Sequence, residues 1–190
     1  MIGRTEYQNV SGTRCATDFV EVPSILMEQF LIHPEVLPLF ARHYKTNAAL
    51  DPALLHKHLA PTRASSALEA HDELLLSHLD QKLHTSLGDT TTIFETAQAE
   101  LSVFPPVRGL DWPGRFSHLV SYPATYYSYP LDRALATRIF RDHFMSDPLS
   151  EDKGRMLKNV LLRPAGGTDP RQILQQILPD GADEFPFLAD

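Results

Sequence analysis

The chain has 190 residues, 43% of them apolar and 22% charged, with a formal net charge of −7. That length can bury a core, and the composition reads as a soluble globular protein. The acidic balance and the lack of any long basic run exclude an ordinary nucleic-acid surface. No apolar stretch approaches the ~18 residues needed to cross a bilayer, and the single cysteine, Cys15, excludes an internal disulfide framework.

The opening Met1-Ile2-Gly3-Arg4-Thr5-Glu6-Tyr7-Gln8 matches neither a secretory signal nor a transit peptide, and dense patterning begins within a few residues of it. It reads as the continuation of a longer sequence. From there helical signals dominate. Asp18 to Leu31 is a predicted helix with Asp18 as its N-cap, and Asp51-Pro52 reads as N-cap plus first-turn proline of a short helix toward Leu59. Thr62 to Leu87 carries Leu68, Leu75, Leu76, Leu79 and Leu83 at helical steps, with Gly88 placed to end it. Further helices are expected over Thr91 to Val103, Leu131 to Phe144, Ser150 to Leu162, and Asp169 to Leu178. The proline- and glycine-rich segments Phe104 to Tyr122 and Arg163 to Thr168 read as loops. Nothing alternates cleanly enough for a strand. The expected fold is all-α, a single unit over residues 1–190.

Two constellations carry chemistry. On the first helix Glu21, Ser24 and Glu28 form one stripe, and apolar residues cover most of the remaining circumference. A carboxylate on a buried helix needs a partner, because an unpaired buried charge is costly. A metal ion answers that need. So does an ion pair, or a capping box in which Glu21 reaches back to Asp18, and spacing alone favours these ordinary answers. The second constellation runs from Phe116 to Tyr129, where four of the six tyrosines follow His118 within a dozen residues. Phenols and an imidazole can donate hydrogen bonds to a developing oxyanion, as amide hydrolysis requires. The competing reading is an aromatic core cluster with hydroxyls at its edge. The other histidines suggest no metal pair, since none are four residues apart.

The stretch Ser11-Gly12-Thr13-Arg14-Cys15-Ala16-Thr17-Asp18-Phe19-Val20-Glu21-Val22-Pro23-Ser24 resembles the segment just after the H-E-x-x-H helix in the thimet oligopeptidase family of zinc metallopeptidases. His118-Leu119 followed by Tyr122, Tyr126, Tyr127 and Tyr129 resembles that family's substrate loop. Gly166-Gly167-Thr168-Asp169-Pro170 is similar to its closing segment. The likeness is strong over residues 1–31 and 115–133, and is closest to members that process imported mitochondrial precursors.

The resemblance implies an all-α, C-terminal part of a zincin-type catalytic domain. It implies that Glu21 is a zinc ligand, that His118, Tyr122 and Tyr129 are catalytic, and that Tyr126 joins them in binding substrate. It further implies a zinc-bound water attacking the scissile amide, peptide substrates, no membrane or nucleic-acid partner, and a mitochondrial matrix location. The chain has no H-E-x-x-H, so both histidine ligands and the general-base glutamate are expected from elsewhere, such as an N-terminal half of the same peptidase. On that expectation the chain by itself is not a peptidase. The alternative is a non-catalytic helical module, or pseudo-enzyme, that associates with a separate partner. Pro123 stands where the family carries glycine and Pro130 where it carries an apolar helix residue, which predicts an altered junction beside Tyr129.

Overall fold

The computed structural model describes residues 2–179, with the side chains of residues 62–64 excepted. Met1 and residues 180–190, part of the expected single unit, lie outside the described residues. The described residues are helical, with one isolated antiparallel bridge, Arg42 to Ala49, and no strand. The helices are α1 (Val22–Leu31), the single turn α2 (Leu37–Phe40), α3 (Pro52–Thr85), α4 (Thr90–Leu101), the single turn α5 (His118–Ser121), α6 (Ser128–Ile139), α7 (Glu151–Leu157) and α8 (Pro170–Ile177). Among the described residues no helix is long and apolar enough to cross a membrane. The chain divides into two compact units. One comprises Met1–Leu55 and Asp132–Asp190, the other His56–Leu131.

In the first unit α1 starts later than its sequence pattern suggests. Residues 17–21 form turns, and Glu21 rather than Asp18 is the last residue before the helix. The reason is local: Pro23 suits only the first turn, where its missing N–H costs nothing. Val22, Ile25 and Leu26 are buried, while Met27 and Leu31 stay exposed on the far side. Phe30 sets its ring edge against Phe140 and Phe144, with centroids 5.0 and 4.9 Å away. The α6 face contributes Leu135, Ala136 and Ile139 to the buried set.

Two helices loosen into wide π turns at their ends, Phe140–Phe144 and Lys158–Leu162, closed by Met145 N–H to Phe140 O (2.9 Å) and Arg163 N–H to Lys158 O (2.8 Å). The last helix, α8, is capped as its sequence foretells: the Asp169 carboxylate accepts from Arg171 N–H at 2.8 Å, with Pro170 in the first turn. It buries Ile173, Leu174 and Ile177, each worth about 1.5–3 kcal/mol. His143 Nε2–H donates to Ile177 O at 2.6 Å and ties down its C-terminus. Gly166 has no substitute, since a Cβ there would lie 2.1 Å from Arg14 O.

The second unit is built on α3 and α4. Leu75, Leu79, Phe94 and Ala97 form its buried cluster, with Leu83, Ile93 and Trp112 packed against it. Trp112 stacks on Phe94 at 5.2 Å and 8°. Asp89 caps α4, accepting from the N–H and the hydroxyl of Thr92 at 2.8 and 2.9 Å. Three expectations need correction here. The helices expected on either side of Pro61 are one continuous helix, with Pro61 inside it. That helix stops at Thr85, and Gly88 does not take the left-handed conformation of a C-terminal glycine. Leu68, placed on the apolar stripe, is exposed.

Candidate functional site

Glu21 sits at the mouth of α1, its backbone already helical (φ −91°, ψ −6°). Its C=O accepts the first helical bond, from Ile25 N–H at 3.0 Å. The capping-box expectation fails, because α1 has no side-chain cap and the Glu21 carboxylate turns toward Ser24. The Ser24 hydroxyl donates to Glu21 Oε2 at 2.5 Å and lies 2.9 Å from Glu21 O. That bond fixes one carboxylate oxygen. The side chain borders a cavity of about 340 Å³ whose lining includes Cys15, Phe19, Ser24, Leu161 and Leu162.

Behind Glu21 stands a residue that the sequence reading passed over. Asp132, on α6, is fully buried, and its Oδ2 accepts the Glu21 backbone N–H at 3.0 Å. Its other oxygen, Oδ1, is buried and has no hydrogen-bond partner among the described residues. Burial pushes the Asp132 carboxyl up to about 7, the Glu21 N–H pulls against that, and the carboxylates of Asp18 and Glu21 add to the rise. The Cys15 thiol is likewise pushed up, chiefly by burial. Among the described residues no group of three or more His, Cys, Asp or Glu side chains could hold a metal ion. Glu21 is a single well-oriented carboxylate, and the residues present do not amount to a zinc site.

The tyrosine loop lies in the second unit. His118 opens the single turn α5, which Tyr122 N–H closes on His118 O at 2.8 Å. Three of the four expected tyrosines gather on the imidazole: Tyr126 edge-on at 4.8 Å, Tyr122 at 5.3 Å, and Tyr129 at 5.8 Å. Phe116 stacks on the same imidazole at 5.8 Å. Tyr122 is exposed, Tyr126 and Tyr129 are half-buried, and His118 Nδ1 is buried with no hydrogen-bond partner among the described residues. Burial raises the Tyr126 phenol, helped by the Glu73 carboxylate and by Tyr129. Such neutral phenols can donate hydrogen bonds. Pro130 causes no break, since it is the third residue of α6, where no ladder bond is due.

A second overlooked pair holds this loop. Asp80, fully buried on α3, accepts from Ala124 N–H through Oδ1 (3.1 Å) and from Tyr126 N–H through Oδ2 (2.8 Å). Its neighbour Gln81 donates from Nε2 to Ala124 O at 2.8 Å. Ala124 takes a left-handed backbone, φ +58°. The sequence did hold a signal for both buried aspartates: each lies on an apolar helix face, Asp80 beside Leu76 and Leu83, Asp132 beside Leu135 and Ile139.

Comparison with known proteins gives the family of the chain as a whole. The profile of Peptidase family M3 matches residues 1–190. The mitochondrial intermediate peptidase of Malassezia globosa is 48% identical over 94% of this chain and 23% of its own length. Mitochondrial intermediate peptidase 1 of Cryptococcus neoformans var. neoformans serotype D is 42% identical over 94% of this chain and 26% of its own. The mitochondrial intermediate peptidase of Phaeosphaeria nodorum is 43% identical over 95% and 24%. The chain therefore spans about a quarter of the length of the curated relatives it matches. The family is zinc-dependent. With the whole of its length matched, this chain belongs to Peptidase family M3.

Proposed function

We propose that residues 1–190 are the C-terminal portion of an M3 peptidase catalytic domain that removes short N-terminal peptides from imported precursor proteins in the mitochondrial matrix. Glu21 is its carboxylate donor to zinc, the two imidazole ligands coming from outside these residues. His118, Tyr122 and Tyr129 stabilise the oxyanion of the scissile amide, and Tyr126 binds the peptide beside them. The observation that carries this reading is the gathering of His118 with Tyr122, Tyr126 and Tyr129 around an imidazole whose Nδ1 has no partner among the described residues. The names of the relatives, mitochondrial intermediate peptidases, support a peptidase role in mitochondria.

The test compares two polypeptides. The purified chain alone is expected to leave a fluorogenic peptide intact with or without zinc. Fused behind the part of the Malassezia globosa relative that precedes its matched segment, it is expected to cleave the peptide, and EDTA to stop it. In that fusion Glu21→Ala should abolish turnover. Tyr122→Phe should lower kcat by roughly 10²-fold, the scale for losing one oxyanion donor. Zinc-dependent cleavage by the chain alone, or a fully active Glu21→Ala fusion, sinks the reading. A second reading, a non-catalytic module that docks on a partner, draws on the exposed Met27, Leu31, Leu39 and Phe40. A folded but inactive fusion favours it.

A further inference from the structure

We propose that Asp80 is the positioning residue of the tyrosine loop, setting where Tyr122, Tyr126 and Tyr129 stand about His118 through two backbone amides. The proposal rests on the reading that this loop meets the peptide substrate. It starts from the turn itself. Ala124 in the left-handed region turns its own N–H and that of Tyr126 to the same side, making a small concave site for an anion. The anion is built in. Both Asp80 oxygens are used, one on each amide, and the carboxylate is fully buried. Gln81 takes the Ala124 carbonyl, so consecutive residues of α3 hold both polar groups of a single peptide residue. On the other flank the Thr125 hydroxyl donates to Tyr122 O at 2.8 Å. The turn is thereby joined at one end to a rigid helix and at the other to the exposed tyrosine.

No aromatic contact substitutes for this fixture. Ring pairs near 5 Å, such as Tyr126 with Tyr129 at 5.0 Å, tolerate sliding, whereas a carboxylate bridging two amides allows a single register. Asparagine at position 80 keeps the size of the side chain but offers one acceptor for two amides. Its NH₂ then faces an N–H. The loop loses half of its fixture without a cavity being opened.

The experiment uses the 190-residue chain, with amide exchange and aromatic shifts read by NMR. In Asp80→Asn, exchange at Ala124 and Tyr126 is expected to accelerate at least tenfold relative to α4 amides, with displaced His118 and Tyr126 ring signals. Leu75→Val, a trimmed core residue of the same unit, is the control. It should lower the urea midpoint while leaving that exchange ratio unchanged. An unchanged ratio in Asp80→Asn, or an equal change in Leu75→Val, overturns the proposal. The capped peptide Ala-Ala-Phe-Leu-Ala-Ala is then titrated into both forms. Shifts at Tyr122 and Tyr129 in the wild type that need at least threefold more peptide in Asp80→Asn support positioning, and equal titrations refute it. No shift in the wild type defeats the substrate-loop reading itself, while the exchange result still decides whether Asp80 fixes the loop.

Discussion

Asp80 and Asp132 perform the same task in different surroundings. Each is a fully buried carboxylate on a helix, and each accepts backbone N–H groups from a segment bearing candidate site residues. Asp80 has both oxygens engaged, and the His84 Nδ1–H lies 3.0 Å from Oδ1 and 2.8 Å from the Asp80 carbonyl. Asp132 has one amide, one unpartnered oxygen among the described residues, and the carboxylates of Asp18 and Glu21 close enough to raise its pKa. Donors on every side make burial of a charge tolerable. One donor and two like charges do not, and the proton is then retained toward neutrality.

The largest expected effect breaks the well-satisfied member. Asp80→Ala leaves two part-buried amides without an acceptor, each costing about 1–3 kcal/mol. Urea unfolding should show a loss of about 4 kcal/mol. An unchanged midpoint would mean that water serves these amides as well as the carboxylate does, and the contrast between the two aspartates would collapse.

Next in size is a pH effect confined to Asp132. Its folded pKa is about 7, above the ordinary 3.8, so between these values the folded protein binds more protons than the unfolded chain. Stability is therefore fully present in acid, falls as pH rises from about 4 to about 7, and levels off above, by on the order of 4 kcal/mol. The charged or titratable groups facing it are Asp18, Glu21 and Cys15, and the Cys15 thiol, itself pushed up, stays neutral across this window. Measured in EDTA, Asp132→Asn should flatten this slope and match or exceed wild-type stability at pH 8. The same change at Asp80 should cost about 2 kcal/mol, because one amide loses its acceptor. Equal effects at both sites would erase the distinction.

The all-α character was legible because amphipathic spacing and caps act locally. Asp51 and Asp169 accept first-turn amides of the helices expected to start beside them. Boundaries set by competing local terms were not, as Pro23 moved the start of α1 and Pro61 failed to divide α3. At the site, Glu21 and the tyrosines stood out by motif. Their supports lie 111 residues from Glu21 and 44 and 46 from Ala124 and Tyr126, separations over which no periodicity speaks. The signal that remained was a carboxylate on an apolar helix face, which marks a buried charge without naming its partner.

A smaller effect tests the second arm of the loop fixture. Gln81→Ala removes the donor to Ala124 O, a part-buried neutral hydrogen bond, and should cost about 1 kcal/mol in the same urea assay. A loss as large as that of Asp80→Ala would shift the burden of holding the turn from carboxylate to amide.

The smallest effect reports who imposes the turn. Alanine at φ +58° is strained by roughly 1 kcal/mol, which glycine would relieve while adding about 0.5–1 kcal/mol of unfolded-state entropy. In the wild type, Ala124→Gly should therefore leave stability within about 0.5 kcal/mol. In an Asp80→Asn background the freed turn lets alanine leave the left-handed region, so glycine has no strain to relieve and its entropy cost stands alone. The double-mutant cycle should then show a coupling of about 1 kcal/mol. If glycine acts identically in both backgrounds, residues 122–126 adopt their turn without Asp80, and the carboxylate only fills a site the loop makes for itself.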